Sequence, residues 1–209
     1  MKEYHKIETV YERDMDGSKK LIEGKFRNAT VEFLKDNEWE FTEKIDGTNI
    51  RVMWDGHGFT FAGRTERASI PAHLMNRLND IFMNTAMEEL FEQMFGDKEV
   101  ILFGEGYGPK IQKVGELYRP DVDFILFDIL IGDIYLERIN VQYIATSLGI
   151  DVVPIIFRGT IDEAVEFVKS KPQSSIGTAP MEGLVGRPEV EVRDRTGNRL
   201  IVKIKACDF

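Results

Sequence analysis

The first stretch of this chain whose residue types suggest chemistry is Glu43-Lys44-Ile45-Asp46-Gly47-Thr48-Asn49-Ile50-Arg51. A lysine that ends an apolar strand and is followed at once by a glycine turn stands at the rim of a pocket rather than on an open face. Its amine is a nucleophile only when neutral, a state promoted by nearby cations or by removal from water. By itself the stretch reads equally as a surface lysine beside an Asp-Gly turn, and that reading is the commoner one.

The end of the chain supplies cations. Ile201-Val202-Lys203-Ile204-Lys205 alternates apolar and charged residues. As a strand it would point Lys203 and Lys205 to one face and its apolar residues into a core. Two ammonium groups side by side repel unless an anion lies between them, and a polyphosphate would serve. The plain alternative is the solvated face of an edge strand, where lysine discourages aggregation.

Two carboxylates complete the set. Glu105 follows the apolar run Val100-Ile101-Leu102-Phe103 within Gly104-Glu105-Gly106-Tyr107-Gly108, and Glu182 opens Glu182-Gly183-Leu184-Val185. Each lies at a strand end beside glycine, where a ligand or metal could approach closely, although each would also suit an exposed turn. The glycines around Glu105 do not have the G-x-G-x-x-G spacing, nor does an amphipathic helix follow them, so they are not a dinucleotide fingerprint.

Strands dominate the elements that must position these groups. Short β-rich runs are predicted at Glu40 to Ile45, Asn49 to Trp54 and Gly58 to Ala62, with Asp55-Gly56 as a hairpin turn. From Pro71 to Phe95, Leu74, Leu78, Ile81, Phe82, Met87, Leu90, Phe91 and Met94 recur at three- and four-residue steps, predicting one long amphipathic helix. Strands return at Glu99 to Phe103, Phe124 to Leu130 and Asp133 to Leu136. Helices at Arg138 to Leu148 and Ile161 to Lys169 flank a strand at Val152 to Phe157. The chain closes with strands at Glu182 to Val185, Glu189 to Arg193 and Arg199 to Ala206, the last two joined by a Thr196-Gly197-Asn198 turn. Because crossover helices are not regularly interleaved, this is an α+β pattern of largely antiparallel sheets with flanking helices.

At 209 residues the chain is long enough to bury a substantial core. Apolar residues at 43% and charged residues at 30% fit a globular protein and not a disordered or membrane one. No apolar run reaches the roughly 20 residues that span a bilayer. The N-terminus lacks a signal-like apolar region, so a cytoplasmic location is the default expectation. Cys207, the single cysteine, excludes an internal disulfide and is too isolated for a zinc site. The net charge of −9 argues against a protein that coats nucleic acid, though not against a small basic groove.

The order of the motifs is more specific than any one of them. Lys44 with Gly47, then Glu105, Phe127-Asp128, Glu182-Gly183 and Lys203-x-Lys205 together resemble the covalent nucleotidyltransferase superfamily of DNA ligases, RNA ligases and mRNA capping enzymes. The Gly47-Thr48-Asn49 stretch, Phe103-Gly104-Glu105 and Phe127-Asp128-Ile129 look most like the RNA ligase branch that includes the second phage type and the RNA-editing ligases. Asp46, by contrast, is shared with DNA ligases and capping enzymes. The resemblance implies an ATP-grasp-like ligase adenylation domain spanning residues 1–209. With only four residues after Lys205, it also implies a bare core without an oligonucleotide-binding barrel or helical domain.

By the same resemblance, Lys44 attacks the α-phosphorus of ATP to give a lysyl-AMP adduct. AMP then passes to a 5′-phosphate, and a 3′-hydroxyl displaces it to seal the nick. Lys203 and Lys205 are expected on the phosphates, Lys205 on the α-phosphate. Glu182 is expected to bind Mg²⁺ or Mn²⁺, and Glu105 and Asn49 to act on the ribose or in later steps. Phe127 would stack on adenine, though a Phe in the run Phe124-Ile125-Leu126-Phe127 also reads as core. Arg64, in Phe61-Ala62-Gly63-Arg64-Thr65, is a candidate phosphate contact or an exposed ion-pairing arginine. The backbone around Lys44 and Ile45 would meet adenine, and Glu43 would receive its amino group. Arg187 stands where the family commonly has lysine. The implied partner is nucleic acid with 5′-phosphate and 3′-hydroxyl ends, RNA favoured, with an accessory protein to help grip it. The rivals are a minimal ATP-dependent DNA ligase, a non-catalytic end-binding protein of the same fold, and, more weakly, a GTP-using capping enzyme.

Overall fold

Trp39, Phe41 and Glu43 are buried while Glu40, Thr42 and Lys44 are partly exposed, the two-residue period of a strand with one covered face. In the computed structural model, which describes residues 2–209, that strand is one of several short β-runs before the first long helix. They are β1 (Glu8–Thr9), β2 (Tyr11–Arg13), β3 (Leu21–Phe26), the short helix α1 (Ala29–Phe33), β4 (Trp39–Lys44), β5 (Thr48–Trp54) and β6 (Phe59–Ala62). Next come α2 (Ala72–Phe82), α3 (Thr85–Phe95), β7 (Val100–Tyr107), α4 (Gly115–Tyr118), β8 (Asp123–Ile131) and β9 (Ile134–Tyr135). The remainder is α5 (Arg138–Leu148), β10 (Asp151–Val152), β11 (Ile155–Gly159), α6 (Ile161–Lys169), β12 (Gly183–Pro188) and β13 (Val202–Lys205).

The chain divides into two units. One comprises the residues up to Tyr4 with Asp46–Val153, the other His5–Ile45 with Pro154–Phe209. In the first, the sheet order is β10-β8-β7-β5-β6 with β9 beside β8, antiparallel except where β10 joins β8. Leu74, Leu78 and Phe82 line one face of α2 at four-residue steps and pack with Phe91, Phe124 and Leu126. Each such fully buried side chain contributes about 1.5–3 kcal/mol.

In the second unit the order is β1-β13-β12-β4-β11, again antiparallel except for β1 against β13. Its core joins Trp39, Phe41, Leu184, Val202 and Ile204 to Ile161, Ala164, Val165 and Val168 of α6. A capping box of Thr160 and Glu163 opens α6. The antiparallel α+β pattern predicted from the sequence is therefore the observed one. Among the described residues no helix is long and apolar enough to cross a membrane.

Three elements differ from expectation. The single helix over 71–95 is two, because Asn84 takes extended angles and its side chain accepts from the Met87 amide, starting α3 afresh. The strand expected over 152–157 is split at Pro154, with β10 in one sheet and β11 in the other. Pro154 has no amide to give to a ladder, and its carbonyl accepts from Glu43 N. Glu189 to Arg193 forms no strand beyond an isolated bridge from Arg193 to Arg199, and Asp194 ties the 196–198 turn instead.

Candidate active site

Lys44 ends β4 in register with Gly183 of β12, and Gly183 is in register with Lys205 of β13. Residues opposite one another on neighbouring strands project to the same face, so the two lysines leave the sheet on one side with an empty position between them. Glu182 fills that gap: its Oε2 lies 2.6 Å from Lys44 Nζ and its Oε1 2.9 Å from Lys205 Nζ. The Glu182 side chain is only 15% exposed, which shields both ion pairs from full solvent screening. The repulsion anticipated between cations is thus relieved by a carboxylate of the chain itself. Burial pushes Lys205 down, but the Glu182 hydrogen bond and the charges of Glu182 and Asp208 outweigh it and hold the ammonium above the usual lysine range.

Gly183 is required here. A Cβ on it would lie 2.0 Å from the Ile204 carbonyl oxygen and 2.8 Å from Lys205 Cα, both backbone atoms. Lys203 is in register with Val185, itself opposite Thr42, so it shares the face of Lys44 and Lys205. Val202 and Ile204 are buried on the other side, as the alternation of the terminal strand predicts.

Neighbouring residues on a strand face opposite ways, which puts Glu43 on the core side of β4. It is 1% exposed; Oε1 accepts from Ser174 Oγ, and Oε2 accepts from the Ser175 amide and hydroxyl. Sequence reasoning assigned Glu43 to adenine alone and missed this role as the buried anchor of the 174–175 loop. Ile45, the next residue of the motif, is buried at 3%.

The other candidates belong to the first unit. Asn49 on β5 stands directly opposite Glu105 on β7, so their side chains share a face. Asn49 Oδ1 is buried and accepts no hydrogen bond among the described residues. The turn before Asn49 is held tightly: Asp46 N donates to Tyr118 Oη at 3.3 Å, and Gln112 Nε2 donates to the Gly47 carbonyl at 3.0 Å. A side chain on Gly47 would strike the Gly106 carbonyl at 2.4 Å. Neither Tyr118 nor Gln112 is marked by any pattern in the sequence.

Phe127 falls where the β7–β8 register slips, between the pairs Phe103–Asp128 and Gly104–Leu126. It is the extra residue of a β-bulge. It remains partly exposed while Phe124, Ile125 and Leu126 are buried, which separates it from the core run. Tyr4 meets its ring edge-on at 5.2 Å and donates to the buried Asp128 at 2.7 Å. Arg64 is exposed just after Gly63, whose carbonyl is fixed by the fully buried Arg51 at 2.9 Å.

Glu182, the expected metal ligand, has both carboxylate oxygens engaged by Lys44 and Lys205. No group of three His, Cys, Asp or Glu side chains converges among the described residues. An ion at Glu182 would therefore complete its shell with water and substrate oxygens, the habit of magnesium and manganese.

The chain is a mixed α+β fold of largely antiparallel sheets, one of which ends in a lysine–carboxylate–lysine group. The chain belongs to the RNA ligase family, whose model matches residues 37–205 and so covers every candidate from Glu43 to Lys205. Solved structures of Naegleria gruberi RNA ligase share the fold. A variant with ATP and Mn is 21% identical with a TM-score of 0.64, covering 87% of this chain and 54% of that one. A variant with AMP and Mn is 22% identical with a TM-score of 0.63, covering 85% and 52%. The enzyme with PPi is 23% identical with a TM-score of 0.63, also covering 85% and 52%. This chain thus spans about half the length of the ligases it matches.

Proposed function

We propose that this chain carries the nucleotidyl-transfer chemistry of an ATP-dependent RNA ligase, with Lys44 as the nucleophile. The observation that supports this most is the convergence of Lys44, Glu182 and Lys205 on one face of the sheet. The similar ligases that were solved with ATP, AMP, PPi and Mn support the choice of substrate and ion.

In the first step the neutral Lys44 amine attacks the α-phosphorus of ATP. An N–P bond forms, the bond to pyrophosphate breaks, and the amine gives up a proton to water. Lys205 neutralises charge on the α-phosphate, and Lys203, two residues back on the same face, serves the departing phosphates. Glu182 would be the residue to hold magnesium or manganese, which when bound would supply charge neutralisation at the phosphates. Before that attack Glu182 must turn from Lys44, which frees the amine. Asn49 Oδ1 and Glu105 receive ribose hydroxyls, Phe127 stacks on adenine, and Arg64 contacts phosphate in the later steps. The backbone at Lys44 and Ile45 meets the adenine edge. Glu43, bound to Ser174 and Ser175 on the core side of β4, would reach the adenine amino group only if the 174–175 loop released it. AMP moves to an RNA 5′-phosphate, and a 3′-hydroxyl displaces it as the strands join.

The test compares nicked duplexes that carry RNA or DNA at the 3′-hydroxyl strand, with ATP and Mg²⁺ or Mn²⁺. Sealing of the RNA-ended nick is expected. Equal or faster sealing of all-DNA nicks would make the protein a DNA ligase. Binding of ends with no lysyl-AMP would make it a non-catalytic end-binding protein.

A further inference from the structure

The sheet face that carries Lys44 has a second charged row. Arg187 of β12 is in register with Glu40 of β4, and Glu40 with Arg158 of β11. Arg158 Nη2 donates to Glu40 Oε2 at 2.7 Å. Because positions 40 and 44 are separated by an even number of residues and registered neighbours share a face, Arg187, Glu40 and Arg158 project on the same side as Lys44, Lys203 and Lys205. The rows lie four residues apart along β4, about 13 Å at about 3.3 Å per residue. Lys203, in register with Val185, stands between them.

On this face Lys44, Lys203, Lys205, Arg187 and Arg158 lie with the carboxylates Glu40 and Glu182, and Asp208 adds its charge near Lys205, in a chain whose net charge is −9. A cationic strip against an acidic background is the electrostatic mark of a phosphate-backbone contact. Stability alone does not account for it. The Arg158 side chain is 55% exposed on an edge strand, where one ion pair contributes little to stability.

We propose that Arg158 is a phosphate contact for the nucleic-acid strand, with Arg187 and Lys203 leading that strand's backbone along the sheet toward Lys44. This rests on the ligase reading only in placing the reacting phosphate at Lys44. The second row is further from Lys44 than a triphosphate is long, whereas a polynucleotide presents phosphates in series. Glu40 holds Arg158 in position and limits its charge.

The test is equilibrium binding of a nicked RNA duplex to the full chain over a salt series without ATP, with thermal melting to verify folding. Arg158→Ala is expected to weaken binding and to flatten the slope of log K against log salt by about 0.9, the release expected for one duplex phosphate. Arg158→Lys should keep the slope, and Glu40→Gln should tighten binding. The proposal is overturned if Arg158→Ala leaves affinity and slope unchanged, or if Arg158→Ala and Glu40→Gln weaken binding alike, as loss of a purely structural pair would. It is also overturned if RNA binding holds and only the ATP dependence of adenylation changes. Covalent adenylation of the wild type is measured in parallel. Its absence with the Arg158 effect intact sinks the ligase reading and leaves the strip standing.

Discussion

The Lys44 amine and the Glu182 carboxylate lie 2.6 Å apart, which joins the end of β4 to the residue that opens β12. Glu182 also grips Lys205 through its other oxygen, so one acid sets the spacing of two lysines on strands that are not themselves neighbours. A ligand phosphate entering this group would meet two cations already held at a fixed separation.

Replacing Glu182 with alanine therefore removes both the proposed metal ligand and the spacer. Lys44 adenylation should fall at least about 100-fold, the scale seen when one preorganised electrostatic group is lost. Stability should fall by more than about 1 kcal/mol, the scale of an exposed pair, since the Glu182 side chain is 15% exposed and its loss leaves two part-buried ammonium groups facing one another. Single-turnover adenylation and chemical denaturation check the two numbers separately. Near-normal adenylation would remove Glu182 from the site.

Gly183→Ala should be more damaging to the fold than any of the polar substitutions. Its Cβ would overlap the Ile204 carbonyl, so β12 and β13 must separate where Lys205 is placed. A loss of about 3 kcal/mol is expected, together with weakened adenylation. A thermal midpoint equal to wild type would show that the sheet yields there without cost.

The two-residue alternation of the last strand was enough to place Lys203 and Lys205 on one face, because burial of Val202 and Ile204 leaves the lysines no other choice. Pairing of Lys44 with Glu182 could not be read this way, since it depends on register across three strands far apart in sequence. Local pattern also misled where one residue overrode it. Asn84 interrupts a continuous helical period, and Pro154 sends one apolar run into two different sheets. β1 is two residues long, too short to show any period at all. Phe127 is ambiguous in a row of apolar residues, and only the bulge that sets it apart from its neighbours distinguishes it.

Alkaline pH offers a test of the second unit's packing. The Tyr11 phenol is pushed up to about 12 by burial first, with the Asp162 and Glu23 carboxylates adding to it. The folded state then holds a proton that an unfolded tyrosine loses near pH 10. This contribution is complete below about pH 10 and is lost as pH rises toward about 12. Tyr11→Phe has no proton to lose, so its stability should decline less than wild type over that window in denaturant titrations. Parallel curves would show that Tyr11 is not responsible.

The most direct measurement is the mass of the intact chain after incubation with ATP and Mg²⁺ or Mn²⁺, followed by peptide mapping. The account predicts one added AMP, on Lys44, released by excess PPi and absent from Lys44→Ala. An adduct on a different residue, or an unmodified chain that still binds ATP, would contradict it.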